Sequence, residues 1–509
     1  MQRKLLFIAL VCAALLAACQ KPTSTTSEIN FAIAQMPQNL DPRYATDAAS
    51  ERVNRLLYQP LIDFDATARP TQIQDESNLL SEFKRMWHRP LARSDVLNDK
   101  TYKFVLNKNI ARFHNGDTLT AADVKATYDS LAKLKDSPHS AEFSNIYSIT
   151  VEANDTVIFK LKQPDTHFVE KLMIGILPKK LIDNNHDFTH NPVGNGALKL
   201  VSWHNKLTLQ RVKDGQIINL QEVKDPTVRV LKLLRGEADL LQGDLPPELV
   251  KHLQTKPEVT VKTTNGANYS YLGLNMQDPV LKQLKVRQAI AYAINRQAVI
   301  DKVMVQNSRI AGAILPPEHY TNAGQQLPAY DYNPTLSQKL LLEAGIKLPL
   351  KLTYKTSTDA QRVRFATIMQ AQMREAGIDL TIKSLDWGTF FADVKAGNFQ
   401  LYGLTWVGIK TSEIYAKAFG SQHFPPNGFN RGHFADVELD KLLADENWPA
   451  ATARIHQQLP YIPLWYEGQF AATQKNVINY SPKADGNWDD LATIEKSATI
   501  TPLQKARLQ

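Results

Sequence analysis

A change of hydrophobic period between Tyr269 and Arg296 constrains the fold more than any other stretch of this chain. Tyr269, Tyr271, Leu272 and Leu274 form a run typical of a buried β-strand, which a polar turn over residues 275–279 ends. From residue 281 the apolar side chains recur every three or four positions, which predicts an amphipathic helix. We expect the cations of this helix to lie off the apolar face, mostly in water: Lys282, Lys285, Arg287 and Arg296.

Length and composition predict a large soluble protein with more than one lobe. The chain has 509 residues, of which 43% are apolar and 22% charged, so two or three lobes are expected. A formal charge of +8 is mild at this length, and no zinc-finger spacing or RNA-binding motif accompanies it. These features argue against a nucleic-acid partner and fit a protein that works near anionic lipid.

The N-terminus has the pattern of an export signal that ends in a lipid-modified cysteine. Arg3 and Lys4 precede an apolar stretch over residues 5–16, and small residues lead into Cys19. Leu16-Ala17-Ala18-Cys19 resembles the lipobox of bacterial lipoproteins, which implies a signal peptide over residues 1–18 and a lipidated tether over 19–27. An ordinary cleaved signal peptide and a short membrane anchor are the alternatives, although the apolar run is shorter than the roughly 20 residues that span a bilayer. The second cysteine, Cys12, lies inside the signal, so no disulfide is expected in the mature chain.

Several blocks of sequence resemble one known family. TYKFVLNKNIARFHNGDTLTAADVKATYDSL (residues 101–131), PVGNGALKLVSW (192–203), LGLNM (272–276) and KVRQAIAYAINR (285–296) are similar to the peptide/nickel class of solute-binding proteins, family 5. Members of this class are the extracytoplasmic receptors of ABC importers. The resemblance implies an α/β fold of the type II periplasmic-binding-protein kind, with two large lobes, a small subdomain and two hinge-crossing segments.

The expected domain boundaries follow from this resemblance and from the local patterns. Lobe I would take residues 28–57, 165–268 and 470–509, the small subdomain residues 58–164, and lobe III residues 269–469. Periodicity predicts helices over 48–58, 121–135, 227–234, 247–253, 336–344 and 360–376. Strands at 350–354 and 378–383 flank the last of these helices, which indicates an α/β unit with a parallel portion of sheet. In the helix over 227–234 we expect Leu231 and Leu234 to face the core and Arg229 to face water.

Three motifs invite a chemical interpretation that their context does not favour. His114 lies in a predicted hairpin without neighbouring ligands and is expected to be a turn or packing residue. His186 and His190 have metal-ligand spacing if helical, but the surrounding turn residues predict a solvated loop. The glycines at 194 and 196 precede a strand-like run instead of the helix that a dinucleotide loop requires. The sequence therefore predicts no metal and no cofactor.

The resemblance also bears on the ligand site. In dipeptide-binding relatives an acid three residues after a tryptophan holds the ligand amine, and an arginine before the long helix holds its carboxylate. Here Ile409 takes the place of the acid, and residues 355–357 contain Lys355 but no arginine. The aromatic positions Trp387 and Trp406 do match those of the relatives, and residues 427–431 resemble the family's loop that faces the cleft. The predicted ligand-binding residues are Tyr271, Trp387, Trp406, Lys410, Asn430 and Arg431.

These observations predict a lipid-anchored, monomeric receptor that captures a small solute, peptide or peptide-like, between two lobes and delivers it to an ABC permease. A secreted enzyme is one alternative, but the chain has no HExxH, GxSxG or phosphate-loop motif, and no catalytic residue is assigned. A receptor-like scaffold that docks a membrane partner is the other.

Overall fold

The computed structural model describes residues 28–63, 100–106, 112–165, 168–304, 306–319, 327–409, 411–425 and 428–497. The predicted signal peptide, the tether with Cys19, and Lys410 lie outside the described residues. The first part of the chain forms β1 (Ile29–Ile33), α1 (Ala48–Leu57), β2 (Thr101–Val105), α2 (Ala121–Lys133), β3 (Ile146–Ala153), β4 (Thr156–Leu161), α3 (Lys179–Asp183), β5 (Leu198–Trp203), β6 (Leu207–Arg211), β7 (Ile217–Glu222), α4 (Pro226–Leu234), β8 (Leu240–Gln242) and α5 (Pro247–Gln254). The second part forms β9 (Val259–Leu274), α6 (Leu284–Tyr292), α7 (Arg296–Val303), β10 (Arg309–Ile310), α8 (Pro334–Glu343), β11 (Leu350–Ser357), α9 (Ala360–Glu375), β12 (Ile378–Leu385), α10 (Trp387–Ala396), β13 (Leu401–Trp406), α11 (Glu413–Phe419), α12 (Val437–Ala444), α13 (Trp448–Gln458), β14 (Tyr461–Gln474), β15 (Val477–Ile478) and β16 (Glu495–Lys496).

One large mixed sheet runs through the molecule in the order β12-β11-β13-β9-β14-β8-β1-β7-β6-β5, with β10 attached to β14. The two long strands β9 and β14 are antiparallel and join its two halves. Residues 269–274 of β9 pair with β13, whereas residues 471–473 of β14 pair with β8. The predicted α/β fold with two hinge-crossing segments is confirmed.

The crossing between the halves is marked by broken strand register. The pairing of β9 with β14 shifts between Glu467 and Gln469, beside Gly266. A Cβ atom on Gly266 would lie 1.5 Å from the Glu467 carbonyl oxygen, so this approach of two backbones requires glycine. The boundaries proposed from sequence at 268/269 and 469/470 fall inside these two strands.

Both faces of the sheet are covered, because successive side chains of a strand point in opposite directions. In β1, Phe31 belongs to one hydrophobic core and Ala32 to another. In β9, Leu272 packs into one core while Tyr271 packs into a second. A separate three-stranded sheet, β2-β4-β3, packs against α2 with its own core. Thr120 precedes α2 and its N–H donates to the Asp123 carboxylate at 2.8 Å, in agreement with the predicted helix start.

Two cations that we expected in water are buried instead. Arg287 and Arg296 are each 4% exposed. The Nε atom of Arg287 donates to the carbonyl of Gln458 at 2.8 Å, and that of Arg296 donates to the carbonyl of Pro463 at 2.6 Å. A guanidinium has five donors and can satisfy several carbonyls that helix and strand ends leave open, so a core position is tolerated. The predicted helix also begins later, at Leu284, after a turn that Asp278 caps through the N–H of Val280.

The prediction of which side chains of α4 are buried was also wrong. Arg229 is 3% exposed, and its Nη1 atom donates to the Val223 carbonyl at 2.7 Å. Leu231 is 41% exposed, and Val230 and Leu233 form the buried face instead. Leu234, also expected in the core, is partly buried against it. Periodicity located the helix but placed its buried face one position away.

Candidate functional site

A cavity of about 310 Å³ lies between the two halves of the molecule. One side is built by the loop before α1, by α1 itself, by residues 139–142 of the small subdomain and by residues 170–175. The other side is built by the loop after β13, by α11 and by Phe429. Because residues from both halves converge on it, this cavity is the candidate solute site.

Ion pairs join the two sides of the cavity. Lys171 lies 2.7 Å from the Asp165 carboxylate and 3.3 Å from that of Glu413 on the opposite side. Lys417 in turn lies 3.7 Å from Glu142 across the cavity. Burial lowers the pKa of Lys171, but Glu413 and Asp165 outweigh it and hold that pKa above its usual value. Both lysines are therefore already engaged with carboxylates.

Helix α1 contributes a second set of polar groups to the same cavity. Arg55 pairs with Asp63 and with Asp489 at 3.0 and 3.1 Å. Glu51 and Asn54, one turn apart on this helix, also line the cavity. Sequence reasoning assigned no role to Glu51 or Asn54, since an acid and an amide on a surface helix are ordinary.

An aromatic cluster around one guanidinium lies behind the opposite wall, where Phe429 lines the cavity and Arg431, Trp406 and Phe391 are not among the lining residues. The Arg431 guanidinium lies 5.1 Å from the centre of the Trp406 ring, 5.4 Å from that of Phe391 and 5.6 Å from that of Phe429. Such distances allow cation–π attraction. Phe429 lines the cavity and so connects this cluster to it.

The structure brings together four of the predicted site residues. Tyr271, 1% exposed, accepts from Arg431 Nη1 at 3.4 Å and stacks on Tyr461 with ring centres 4.0 Å apart. Trp406 ends β13, and its indole N–H is buried without a hydrogen-bond acceptor among the described residues. Trp387 begins α10, is 58% exposed and stacks on Phe391 at 5.3 Å.

The other two predicted residues differ from this group. The Asn430 side chain donates to the carbonyls of Gly420 and Phe434 at 3.0 and 2.7 Å and accepts from the Phe434 N–H, so its amide shapes the loop that presents Arg431. Lys410 lies outside the described residues, between Ile409 and Thr411, which both line the cavity. The neighbouring loop is fixed by the Gly408 N–H, which donates to Asn268 at 3.3 Å.

A hinge ion pair was also missed by the sequence analysis. Arg362, in the first turn of α9, lies 2.6 Å from the Glu467 carboxylate on β14. Ser270 and Thr405 donate to the same carboxylate at 2.6 and 3.0 Å. Burial raises the pKa of Glu467, but Arg362 and these hydroxyls outweigh it and hold that pKa below its usual value. Lys355, the cation nearest the expected arginine position, is instead bound to Asp393 at 2.6 Å.

A second cavity, of about 250 Å³, lies within the half that contains α7 and α13. Arg296, Tyr330 and His456 line it. The His456 ring nitrogens contact the carbonyls of Gly312 and Pro328 at 2.9 and 2.7 Å. Only one half of the molecule builds this cavity, so we assign the solute site to the cavity between the halves.

The described residues contain no group of three or more His, Cys, Asp or Glu side chains placed to hold a metal ion. His186 contacts the Asn191 carbonyl at 2.7 Å and His190 contacts Asp187 at 3.0 Å, both in a loop. His114 contacts the Gly196 carbonyl at 3.1 Å, as expected of a packing residue. Within the described ranges, every helix is too short or too polar to span a bilayer.

Comparison with known proteins identifies the family. The model for bacterial extracellular solute-binding proteins, family 5, matches residues 88–421. The glutathione-binding protein GsiB of Shigella flexneri is 26% identical, over 92% of this chain and 94% of that protein. Among solved structures, the ABC transporter substrate-binding protein CtaP of Listeria monocytogenes has a TM-score of 0.78 at 20% identity, covering 93% of this chain and 99% of its own.

A second solved structure gives the same fold. The periplasmic binding protein DppA of Helicobacter pylori, solved with a bound peptide, has a TM-score of 0.74 at 22% identity over 93% of this chain and 98% of its own. The three similar proteins are thus a glutathione-binding protein, an ABC transporter-associated periplasmic binding protein with a bound peptide and an ABC transporter substrate-binding protein. The family match covers more than half of the sequence, and the chain therefore belongs to the bacterial extracellular solute-binding proteins of family 5, which serve ABC importers.

Proposed function

We propose that this protein is a lipid-anchored receptor that captures a peptide-like solute in the cavity between its halves and hands it to the permease of an ABC importer. The observation that carries the proposal is the cavity itself, since both halves line it and paired charges cross it. A solute bound there would contact both halves at once. Binding would therefore favour the closed arrangement over an open one.

The lining supports a small solute with both polar and apolar parts. A volume of about 310 Å³ accommodates a short peptide or a compound of similar size. Phe429 lines the cavity and offers a ring for apolar contact, and the Trp406 ring and the Arg431 guanidinium lie 5.6 Å from the Phe429 ring, behind it. We keep Tyr271, Trp387, Trp406, Lys410, Asn430 and Arg431 as the proposed ligand-binding residues, with Asn430 acting through the loop it shapes.

The proposed anchor depends on the N-terminal sequence. Cleavage before Cys19 and acylation of that residue would leave a short polar tether before β1. Two or more acyl chains hold a protein stably at a membrane surface, since each buried methylene contributes about 0.8 kcal/mol. The protein would then act as a monomer on the periplasmic or extracellular side of the membrane.

Thermal denaturation of a Trp406→Ala variant tests the proposed site. A peptide that raises the melting temperature of the wild-type protein should give no shift in this variant, because the ring between Arg431 and Tyr271 is lost. Trp203→Ala, at the far end of β5, is the matched control and should keep the full shift. An undiminished shift in Trp406→Ala would remove this residue from the site.

A further inference from the structure

Asn54 is a buried polar side chain without a hydrogen-bond partner among the residues that the structure describes. It is 7% exposed and lines the cavity between the halves. Neither its Oδ1 nor its Nδ2 atom has a hydrogen-bond partner among the described residues. A buried amide left in this state costs about 1–3 kcal/mol, so such groups are rare in folded proteins. An amide that faces a cavity with both its donor and its acceptor unused is suited to bind another amide.

Glu51 lies one helical turn before Asn54 and faces the same cavity. Its side chain is exposed to the cavity, and no cation forms an ion pair with its carboxylate among the described residues. The charged groups that face it are Asp47 and Arg55 of its own helix and His139 and Glu142 of the small subdomain. Arg55 forms ion pairs with Asp63 and Asp489, so its guanidinium is directed towards those two carboxylates.

Charge across the cavity is unbalanced towards the negative. The described lining residues include five carboxylates, Glu51, Asp63, Glu142, Glu170 and Glu413, against three permanent cations, Arg55, Lys171 and Lys417. Each of those cations is already within 4 Å of a carboxylate. A solute that brings its own positive charge would offset the excess at Glu51.

We propose that α1 is the recognition element for the free amino end of a peptide, with Glu51 binding the ammonium group and Asn54 binding the first peptide unit. In this arrangement the Asn54 Oδ1 atom accepts from the N–H of the first peptide unit, and its Nδ2 group donates to the carbonyl of the residue that supplies this N–H, because the N–H and C=O of one residue point the same way in an extended chain. An ammonium group and the adjacent peptide bond are neighbours along a chain, as Glu51 and Asn54 are neighbours along one helix face. This inference rests on the proposed function, and it adds the chemical class of the solute and the residues that select it.

The pKa of Glu51 agrees with this assignment. Although its side chain is open to the cavity, the surrounding protein partly desolvates the Glu51 carboxyl and raises its pKa, and His139 partly opposes that effect. A bound ammonium group favours the ionised carboxylate, so binding would release protons from the fraction of molecules in which Glu51 is protonated. Affinity for an amine-ended peptide should therefore fall as the pH falls through the pKa of Glu51.

Competitive capture measured by native mass spectrometry tests the proposal on the mature protein. The probes are a pool of tri- and tetrapeptides without Lys, Arg or His, and the same pool after N-acetylation. The wild-type protein should retain peptides from the free-amine pool and at least about tenfold less from the acetylated one, because hydrogen bonds to charged groups are among the stronger ones. Glu51→Gln should lose about tenfold in affinity for the captured peptides and lose the preference between pools. Glu258→Gln, an exposed acid between α5 and β9, is the matched control and should behave as wild type.

Asn54→Leu separates recognition from folding. This variant should bind the captured peptides about tenfold more weakly while the unliganded protein melts at the same or a higher temperature, because an unpaired buried amide has been removed. A lower melting temperature together with unchanged affinity would show that Asn54 is structural and would overturn its assignment.

The outcomes distinguish this inference from the function on which it rests. Equal capture from the two pools, or unchanged capture by Glu51→Gln, would overturn the role of α1 and leave a peptide receptor in place. Capture from neither pool would contradict the peptide-like solute itself, and the inference would fail with it.

Discussion

Two carboxylates, Glu467 on a hinge strand and Glu51 on the lining of the cavity, have opposite surroundings. Glu467 on the hinge strand β14 is bound by Arg362, Ser270 and Thr405. Glu51 on α1 faces the cavity without an ion pair among the described residues. The pKa of Glu467 is lowered and that of Glu51 is raised, each by the balance of burial against neighbouring charge. The comparison indicates that the hinge carboxylate stabilises the fold, while the cavity carboxylate is left available for a solute.

Removing the hinge carboxylate should have the largest effect on stability. Glu467→Ala leaves Arg362 without its partner, and breaking a fully buried pair costs about 3–5 kcal/mol. Since the Arg362 side chain is 35% exposed, we expect a smaller loss of unfolding free energy, about 2 kcal/mol. Urea denaturation measures it, and Glu343→Ala, which breaks the exposed pair with Lys285, should change the free energy by less than about 1 kcal/mol. Equal losses in the two variants would contradict a special role for the hinge pair.

The contributions of Glu467 and Glu51 to stability should also depend on pH in opposite directions. The folded-state pKa of Glu467 lies below its ordinary value of 4.5, so its contribution is present above that value and is lost as the pH falls through the folded-state pKa. Glu467→Gln should therefore reduce the dependence of the melting temperature on pH in the acid range. A variant with the same acid dependence as wild type would show that Glu467 is not held ionised by Arg362.

The smallest expected effect is a gain in melting temperature, in the Glu51→Gln variant. The folded-state pKa of Glu51 is raised, so the associated stability is complete below the unfolded-state pKa and is lost as the pH rises through the folded-state value. Glu51→Gln should thus raise the melting temperature of the unliganded protein slightly at neutral pH and leave it unchanged well below pH 4.5. A decrease at neutral pH would mean that Glu51 has a stabilising partner and is not kept free for a ligand.

The family and the fold could be predicted because they depend on local patterns. The strand that ends at Leu274, the helix that follows it and the α/β unit around α9 each have a hydrophobic period that only one kind of element satisfies. The burial of Arg229, Arg287 and Arg296 was not predictable in this way, because the carbonyls that they bond belong to the turn before the helix or to chain segments far away.

The candidate site also contains some residues that the sequence could predict and others that it could not. Trp406 and Arg431 were found through resemblance, and the structure brings them to 5.1 Å. Glu51 and Asn54 carry no local signal, since their meaning comes from a cavity whose other wall is built by residues more than 350 positions later. The ligand-binding role of Lys410 stays a prediction, because this residue lies outside the described residues.

The sequence by itself determined the family, the α/β elements and the aromatic residues near the cavity, because hydrophobic period and turn chemistry act over a few residues. Only the tertiary structure decided which charges are satisfied and which are not. Whether a carboxylate such as Glu467 or Glu51 meets a cation is fixed by strands and helices that come together from distant parts of the chain, and that proximity sets both its pKa and its availability to a solute.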